Sequence, residues 1–319
     1  MKILVLGGAG FLGANLVRRC LAEPNVQLTV LDPLLNSPQK NLDDILDRIH
    51  FVIGDLRDEA LLSELVQDQD VVFNSAAQSS HTLSIQYPLL DTEINCLGNL
   101  KLLEAVRRYN RKAILVFPSA STVIGTAQEN IVDEDHKEVP LEIYSANKGV
   151  VEKYYRIYHA LHGLKTVILR FTNLYGPYGK GSPEFGFVNY FIHLASNNGE
   201  IKIFGDGSQS RNVLYVEDAA EILWRAAWNP KLYGKLFFAA SPYHLSVREI
   251  AETIVSVWGR GKVVYDPWPE ERRLIEVGSV RFSSARLKAL TGWEASYDFV
   301  SGLKKTREIM ERSLQAVKS

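Results

Sequence analysis

A chain of 319 residues, 46% hydrophobic and 23% charged, is long enough to bury the cores of two domains and too apolar to remain disordered. Its 36 Lys and Arg balance 37 Asp and Glu, so a net charge of −1 supplies no overall field for nucleic acid or an acidic membrane, and local clusters must hold any anion. Two cysteines exclude a disulfide scaffold or cysteine-rich zinc site, no apolar run approaches the ~20 residues of a membrane span, and a first strand at residue 3 leaves no room for a signal peptide, so the expectation is a cytoplasmic protein.

The first element is a five-residue uncharged run, Ile3-Leu4-Val5-Leu6-Gly7, that reads as a buried parallel strand. Gly7, Gly10 and Gly13 follow at the spacing of a dinucleotide-binding turn, with Phe11 and Leu12 opening the next helix. Gly7 turns the chain, Gly10 lets phosphate oxygens approach backbone N–H groups, and Gly13 lets the helix pack on the sheet with its N-terminal dipole facing the anion. The same spacing also serves plain turns, so the second strand, Gln27 to Asp32, matters: its terminal Asp32 stands where a carboxylate accepts the adenosine ribose hydroxyls. No Arg or Lys lies between Asp32 and Lys40 to neutralise a 2′-phosphate, which favours NAD over NADP. A third strand, His50 to Ile53, leads to Asp55 and Leu56, placed to meet the adenine amino group and its face. Helix capping or turn chemistry is the competing reading of both Asp32 and Asp55.

Further strands are expected at 70–74, 113–117 and 165–170, and helices at 95–109 and 146–161. This alternation implies an α/β fold with a doubly wound parallel Rossmann sheet. Beyond Arg170 a Gly- and Pro-rich stretch, Tyr175 to Pro183, opens a smaller, mostly C-terminal α/β substrate domain, and the chain revisits the first domain before finishing. The expected division is 1–172 plus about 212–240 for the dinucleotide and 173–211 plus 241–319 for the substrate.

Tyr144 and Lys148 lie four residues apart on a helix and project from one face. An ammonium there, with a positive nicotinamide beyond it, is expected to lower the phenol's pKa until tyrosine serves as base for an alcohol as hydride leaves the neighbouring carbon. Seven scattered histidines without ligand spacing argue against a metal site, and His81 reads either as a pocket residue or as a loop histidine with a satisfied hydrogen bond.

The glycine turn, Tyr144 with Lys148, Arg170 to Pro177, and Gly205 to Arg211 occur in an order that resembles the extended short-chain dehydrogenase/reductases, and more narrowly their NAD-dependent nucleotide-sugar epimerases and dehydratases. Asp32 to Ser37 and Ser121 to Gly125 look most like the UDP-galactose and UDP-glucuronate 4-epimerase branch. The resemblance implies that Asn36, Ala76, Ala77, Gln78 and Asn95 join the cofactor site, with helix capping an equal account of Asn95. It also implies that Asn173, Phe204, Arg211 and Arg272 (or Arg273) hold a nucleotide-diphosphate sugar, and that two helices from each subunit build a homodimer. One position departs from the pattern: Ala120 stands where the family carries a catalytic Ser or Thr, so that either Ser119 or, preferred, Ser121 substitutes, or the tyrosine works without that partner. Ser121-Thr122 also replaces the Asp-Glu pair of the dehydratases, which disfavours dehydration and favours epimerisation at C4 through a 4-keto intermediate. A reductase, dehydratase or decarboxylase on the same scaffold, or a dinucleotide-binding protein without turnover, are the alternatives.

Overall fold

The computed structural model describes residues 1–35, 39–270, 276 and 278–316. In chain order the elements are β1 (Lys2–Leu6), α1 (Phe11–Leu21), β2 (Gln27–Asp32), β3 (His50–Ile53), α2 (Glu59–Leu65), β4 (Val71–Asn74), α3 (His81–Gln86), α4 (Pro88–Thr92), α5 (Gly98–Tyr109), β5 (Ile114–Ala120), α6 (Ile143–His162), β6 (Lys165–Phe171) and β7 (Asn173–Tyr175). Then follow α7 (Phe187–Ser196), β8 (Glu200–Phe204), β9 (Ser210–Tyr215), α8 (Val216–Ala227), β10 (Lys235–Ala239), β11 (His244–Ser246), α9 (Val247–Trp258) and β12 (Lys262–Asp266), with two closing helices at Ala285–Thr291 and Phe299–Ala316.

Seven strands pair in the order β3-β2-β1-β4-β5-β6-β10, every neighbour parallel. Parallel strands need helical crossovers that cover both faces, which is why β1 and β4 read as continuous apolar runs. On one face Ile3, Val5 and Val30 pack under α1 and α8; on the other Leu4, Leu6 and Leu31 meet Leu62 of α2, Leu102 and Val106 of α5 and Tyr155 of α6. Strand order reverses between β1 and β4, and α/β sheets open a crevice at such a point beyond the carboxyl ends of the strands.

A smaller region carries β7, β9 and β11 in one sheet and β8 with β12 in another, around Phe191, Ile201, Ile203, Ile250 and Trp258. The return near residue 212 is divided: β9 pairs in the small sheet, whereas α8 packs against α1 and β10 completes the large sheet. Asn95 does not cap a helix. It lies in a π-helical segment, Glu93–Leu97, that joins α4 to α5. Among the described residues no helix is long and apolar enough to cross a membrane.

Candidate active site

The crevice at the switch point is a cavity of about 340 Å³ lined by Gly7, Gly10, Phe11, Leu12, Gly13, Asp32, Asp55, Leu56, Ala76, Ala77, Gln78, Ser121, Tyr144, Lys148 and Asn173. Residues from separate stretches of the chain are thereby brought to one wall. Gly7 has a φ of +73°, and a Cβ there would stand 2.6 Å from the backbone of Ala76, so a side chain would push β1's turn away from β4. A Cβ on Gly13 would come 2.1 Å from the Gly7 carbonyl oxygen. Between them α1 begins at Gly10 with no side-chain cap and no acid in its first turn. The first N–H groups of α1 therefore lack intrahelical acceptors and open toward the crevice, a cradle that fits a dinucleotide pyrophosphate.

Asp32 is buried at the end of β2. Its Oδ2 accepts from the Ala9 amide at 3.0 Å and its Oδ1 from Leu34 at 2.8 Å. Burial pushes its carboxyl up, opposed by those bonds and by the charge of Lys180, a cavity residue from the Gly- and Pro-rich stretch. Asp55 is bonded by its own neighbour: Arg57 donates from its backbone N and Nε to Oδ1 at 2.8 and 2.9 Å and from Nη2 to Oδ2 at 2.8 Å. The turn-and-pair arrangement is thus present at Asp55, together with a place on the cavity wall.

At the opposite end stand Tyr144 and Lys148, both on α6 and both buried. Lys148 Nζ donates to the Pro118 carbonyl at 3.1 Å and lies 4.5 Å from the Phe117 ring centroid and 5.8 Å from that of Tyr144. The protein's own groups push the phenol's pKa up, so the ammonium's share of the expected lowering is not seen, and the nicotinamide's share lies outside them. Burial pushes the Tyr144 hydroxyl up, Glu142 and Asp91 push the same way, and the ammonium is turned toward the β5 carbonyl. The polypeptide alone keeps the phenol protonated, and deprotonation needs further positive charge in the cavity.

Burial also lowers Lys148 to about 8, against the opposing pull of Glu152, Asp91 and Cys96. A lysine whose folded-state pKa lies below its unfolded value costs stability while charged, and that cost is withdrawn as pH rises from about 8 toward 10.5. In the cofactor-free protein, Lys148→Met should therefore be more stable than the parent at pH 7. Its advantage should shrink by about 3 kcal/mol by pH 10.5 in urea unfolding; a gap independent of pH would contradict this electrostatic picture.

The two candidate serines are distinguished by their partners. Ser119 also lines the cavity, but its Oγ donates to Glu152 Oε1 at 2.6 Å, inside a buried cluster with Arg170. Ser121 lines the cavity, and its hydroxyl takes no partner among the described residues. Ala120 supplies no hydroxyl.

Other expected residues stand elsewhere. Asn95 lies one layer behind the wall, where its amide bonds the backbone N and O of Gln78 at 3.1 and 2.9 Å and holds that segment in place. Phe204 packs on Trp268, ring centroids 5.6 Å apart, and does not reach the cavity wall. Nor does Arg211: its guanidinium pairs with Glu276 and donates to the Gly278 carbonyl at 2.6 Å, because β9 delivers it beside the segment that follows β12. Asn173 is on the wall but donates to the Asn212 carbonyl at 2.9 Å. Asn36, Arg272 and Arg273 lie outside the described residues. Cavity residues not anticipated include Lys180 and Phe185 to Val188, whose approach to the crevice depends on the fold of the second region.

A seven-stranded parallel sheet, a glycine turn at its switch point and a Tyr/Lys pair one helical turn apart together define an extended short-chain dehydrogenase/reductase. The model of the NAD dependent epimerase/dehydratase family matches residues 3–235. A putative UDP-glucose 4-epimerase of Methanocaldococcus jannaschii is 32% identical over 314 residues, covering 98% of this chain and 99% of that protein. The solved structure of a UDP-glucose 4-epimerase from Thermotoga maritima with UDP-glucose superposes with a TM-score of 0.90 at 28% identity, covering 98% of this chain and all of the other. That of the Thermus thermophilus UDP-glucose 4-epimerase complex with NAD gives 0.86 at 29% identity, covering 98% and 99%. The chain belongs to the NAD dependent epimerase/dehydratase family, and NAD is its cofactor.

Proposed function

We propose that the protein epimerises a nucleotide-diphosphate sugar, at C4 of a UDP-hexose or UDP-hexuronate, through a transient 4-keto sugar. The observation that carries this reading is the opening of Tyr144 and Lys148 onto the same crevice as the glycine cradle. Bound NAD supplies a hydride acceptor that returns the hydride and a positive ring that offsets the burial of the phenol. Tyr144 then takes the proton of the sugar hydroxyl and gives it back, Lys148 holds the nicotinamide ribose, and Ser121 bonds the reacting oxygen. Gly7, Gly10, Phe11, Leu12 and Gly13 seat the pyrophosphate, Asp32 and Asn36 the ribose, and Asp55 and Leu56 the adenine. Ala76, Ala77 and Gln78, held by Asn95, border the nicotinamide half. The second region, with Asn173, Phe204, Arg211 and Arg272, takes the nucleotide diphosphate; Arg211 must exchange Glu276 for phosphate to do so.

The names borne by the relatives support epimerisation, and Ser121-Thr122 in place of a carboxyl pair supports it over dehydration. Incubation of the purified protein, without added cofactor, with UDP-, GDP-, CDP- and dTDP-sugars should give an isomer of unchanged mass. Loss of water or carbon dioxide would replace epimerisation with dehydration or decarboxylation, and a gain of hydrogen with reduction. Ala120 favours one second reading, a dinucleotide-binding protein without turnover, for which every product assay would be blank.

We infer a homodimer as well. Ile143, Val150, Ile157 and Leu161 form an exposed apolar stripe at near-heptad spacing on α6, beside exposed Leu97 at the start of α5. Leu103, Val106 and Tyr155 on the same two helices are core residues, and Leu100, Tyr154 and Tyr158 are partly covered. Sedimentation should give a dimer for the parent and a folded monomer for Val150→Glu/Ile157→Glu; a monomeric parent at micromolar concentration would rule the interface out. Both cysteines are free and buried, consistent with a reducing compartment such as the cytoplasm.

A further inference from the structure

At the reacting end of the crevice most polar side chains are already committed. Ser119 donates to Glu152, Thr122 Oγ1 pairs with Ser145 Oγ at 2.7 Å, and the Gln78 amide is bonded to Ser80 and Asp91. His81 is different. It opens α3, lines the cavity, and stands edge-on to Tyr144 with ring centroids 5.0 Å apart. Its Nδ1 is 3.0 Å from Glu142 Oε1, while Nε2, on the far side of the ring, has no partner among the described residues.

Glu142 is built to hold that ring. It caps α6 by accepting from the Ser145 amide at 3.1 Å, accepts from Ser84 Oγ at 3.0 Å and from Ser145 Oγ, and its side chain is 8% exposed. Hydrogen bonds from His81, Ser145 and Ser84 outweigh its burial and keep the carboxyl below the usual range. A carboxylate only accepts, so Nδ1 carries the hydrogen, and in the neutral imidazole the lone pair is left on Nε2. Two segments sixty-one residues apart are thus joined to present an oriented acceptor beside Tyr144.

We propose that His81, oriented by Glu142, is a sugar-binding residue whose Nε2 accepts a hydrogen bond from a hydroxyl of the nucleotide sugar next to the reacting carbon. This rests on the nucleotide-sugar reading above and adds a specificity determinant to it. With alanine at position 120 and the Ser119 hydroxyl committed to Glu152, the sugar's hydroxyls are met from the α3 side as well as from Ser121.

The test is calorimetric titration of the NAD-loaded protein with UDP-glucose and, separately, with UDP. His81→Ala should weaken UDP-glucose about tenfold while leaving UDP within twofold of the parent, and His81→Gln, which keeps an amide donor and an acceptor, should recover part of the loss. A structural role alone would move both ligands together. His81→Ala that binds UDP-glucose as the parent does, or loses UDP to the same extent, overturns the proposal. A parent that binds neither ligand, nor any other nucleotide sugar with its free nucleotide, overturns the function itself and this inference with it.

Discussion

Tyr144→Phe should lower kcat by about 10³-fold while NAD and nucleotide-sugar affinities stay within a few-fold of the parent. The substitution removes one oxygen from the wall of the cavity and nothing from the glycine cradle at its other end, so binding and chemistry should separate. The folded state should not suffer. The Tyr144 side chain is mostly buried, but its hydroxyl lies on the cavity wall and takes no protein hydrogen bond among the described residues, so phenylalanine breaks no bond and the melting temperature should stay close to the parent's. Initial rates, a NAD titration and a thermal melt on one preparation check all three expectations. A variant with the parent's rate would take Tyr144 out of the mechanism.

Arg170→Met should cost 3–5 kcal/mol of stability, about the largest effect expected of a residue that does not line the crevice. Arg170 and Glu152 are each almost fully buried, Nε donates to Glu152 Oε1 at 2.8 Å, and Glu138 adds a second carboxylate. Methionine would fill much of the volume but leave Glu152 charged in the core with Ser119 as its remaining bond and Lys148 acting on it only through space. Removing both charges should be far cheaper, because a well-packed apolar pair replaces a buried ion pair at little cost. Urea unfolding at pH 7 should therefore place Arg170→Met/Glu152→Leu within about 1.5 kcal/mol of the parent. Equal losses in the single and double variants would show that packing, not charge, is what the site requires. The cluster also bears on the crevice: Ser119 lines it with its hydroxyl committed to Glu152.

The large sheet was legible because a buried parallel strand writes itself as an unbroken apolar run and the glycines mark where it must turn. The first three strands and the glycine cradle follow from local pattern alone. The Tyr144 and Lys148 pair was legible as a common helix face, since four residues make one turn. Where the ammonium points was not: Lys148 is drawn to the Pro118 carbonyl by β5, an element thirty residues away, so a lowered phenol pKa did not follow from spacing. Contacts across elements account for the other differences. Asn95 reads as a cap from its neighbours, yet the π-helical segment turns its amide onto the Gln78 backbone. Arg211 reads as a phosphate ligand, and only the fold reveals Glu276 as its partner. Lys180 and Asp32, far apart in the chain, share one wall, and no local pattern carries that.

In the proposed reaction, a phenol at position 144 and the nicotinamide held by the opening glycine turn share one reacting centre. A crystal structure of the protein with NAD tests it most directly. The pyrophosphate should lie on the first N–H groups of α1, with the hydride-accepting carbon of the ring separated from the Tyr144 oxygen by no more than the span of one sugar carbon and its hydroxyl. A dinucleotide seated elsewhere, or a ring turned away from Tyr144 with Phe117 and Lys148 between them, would contradict it.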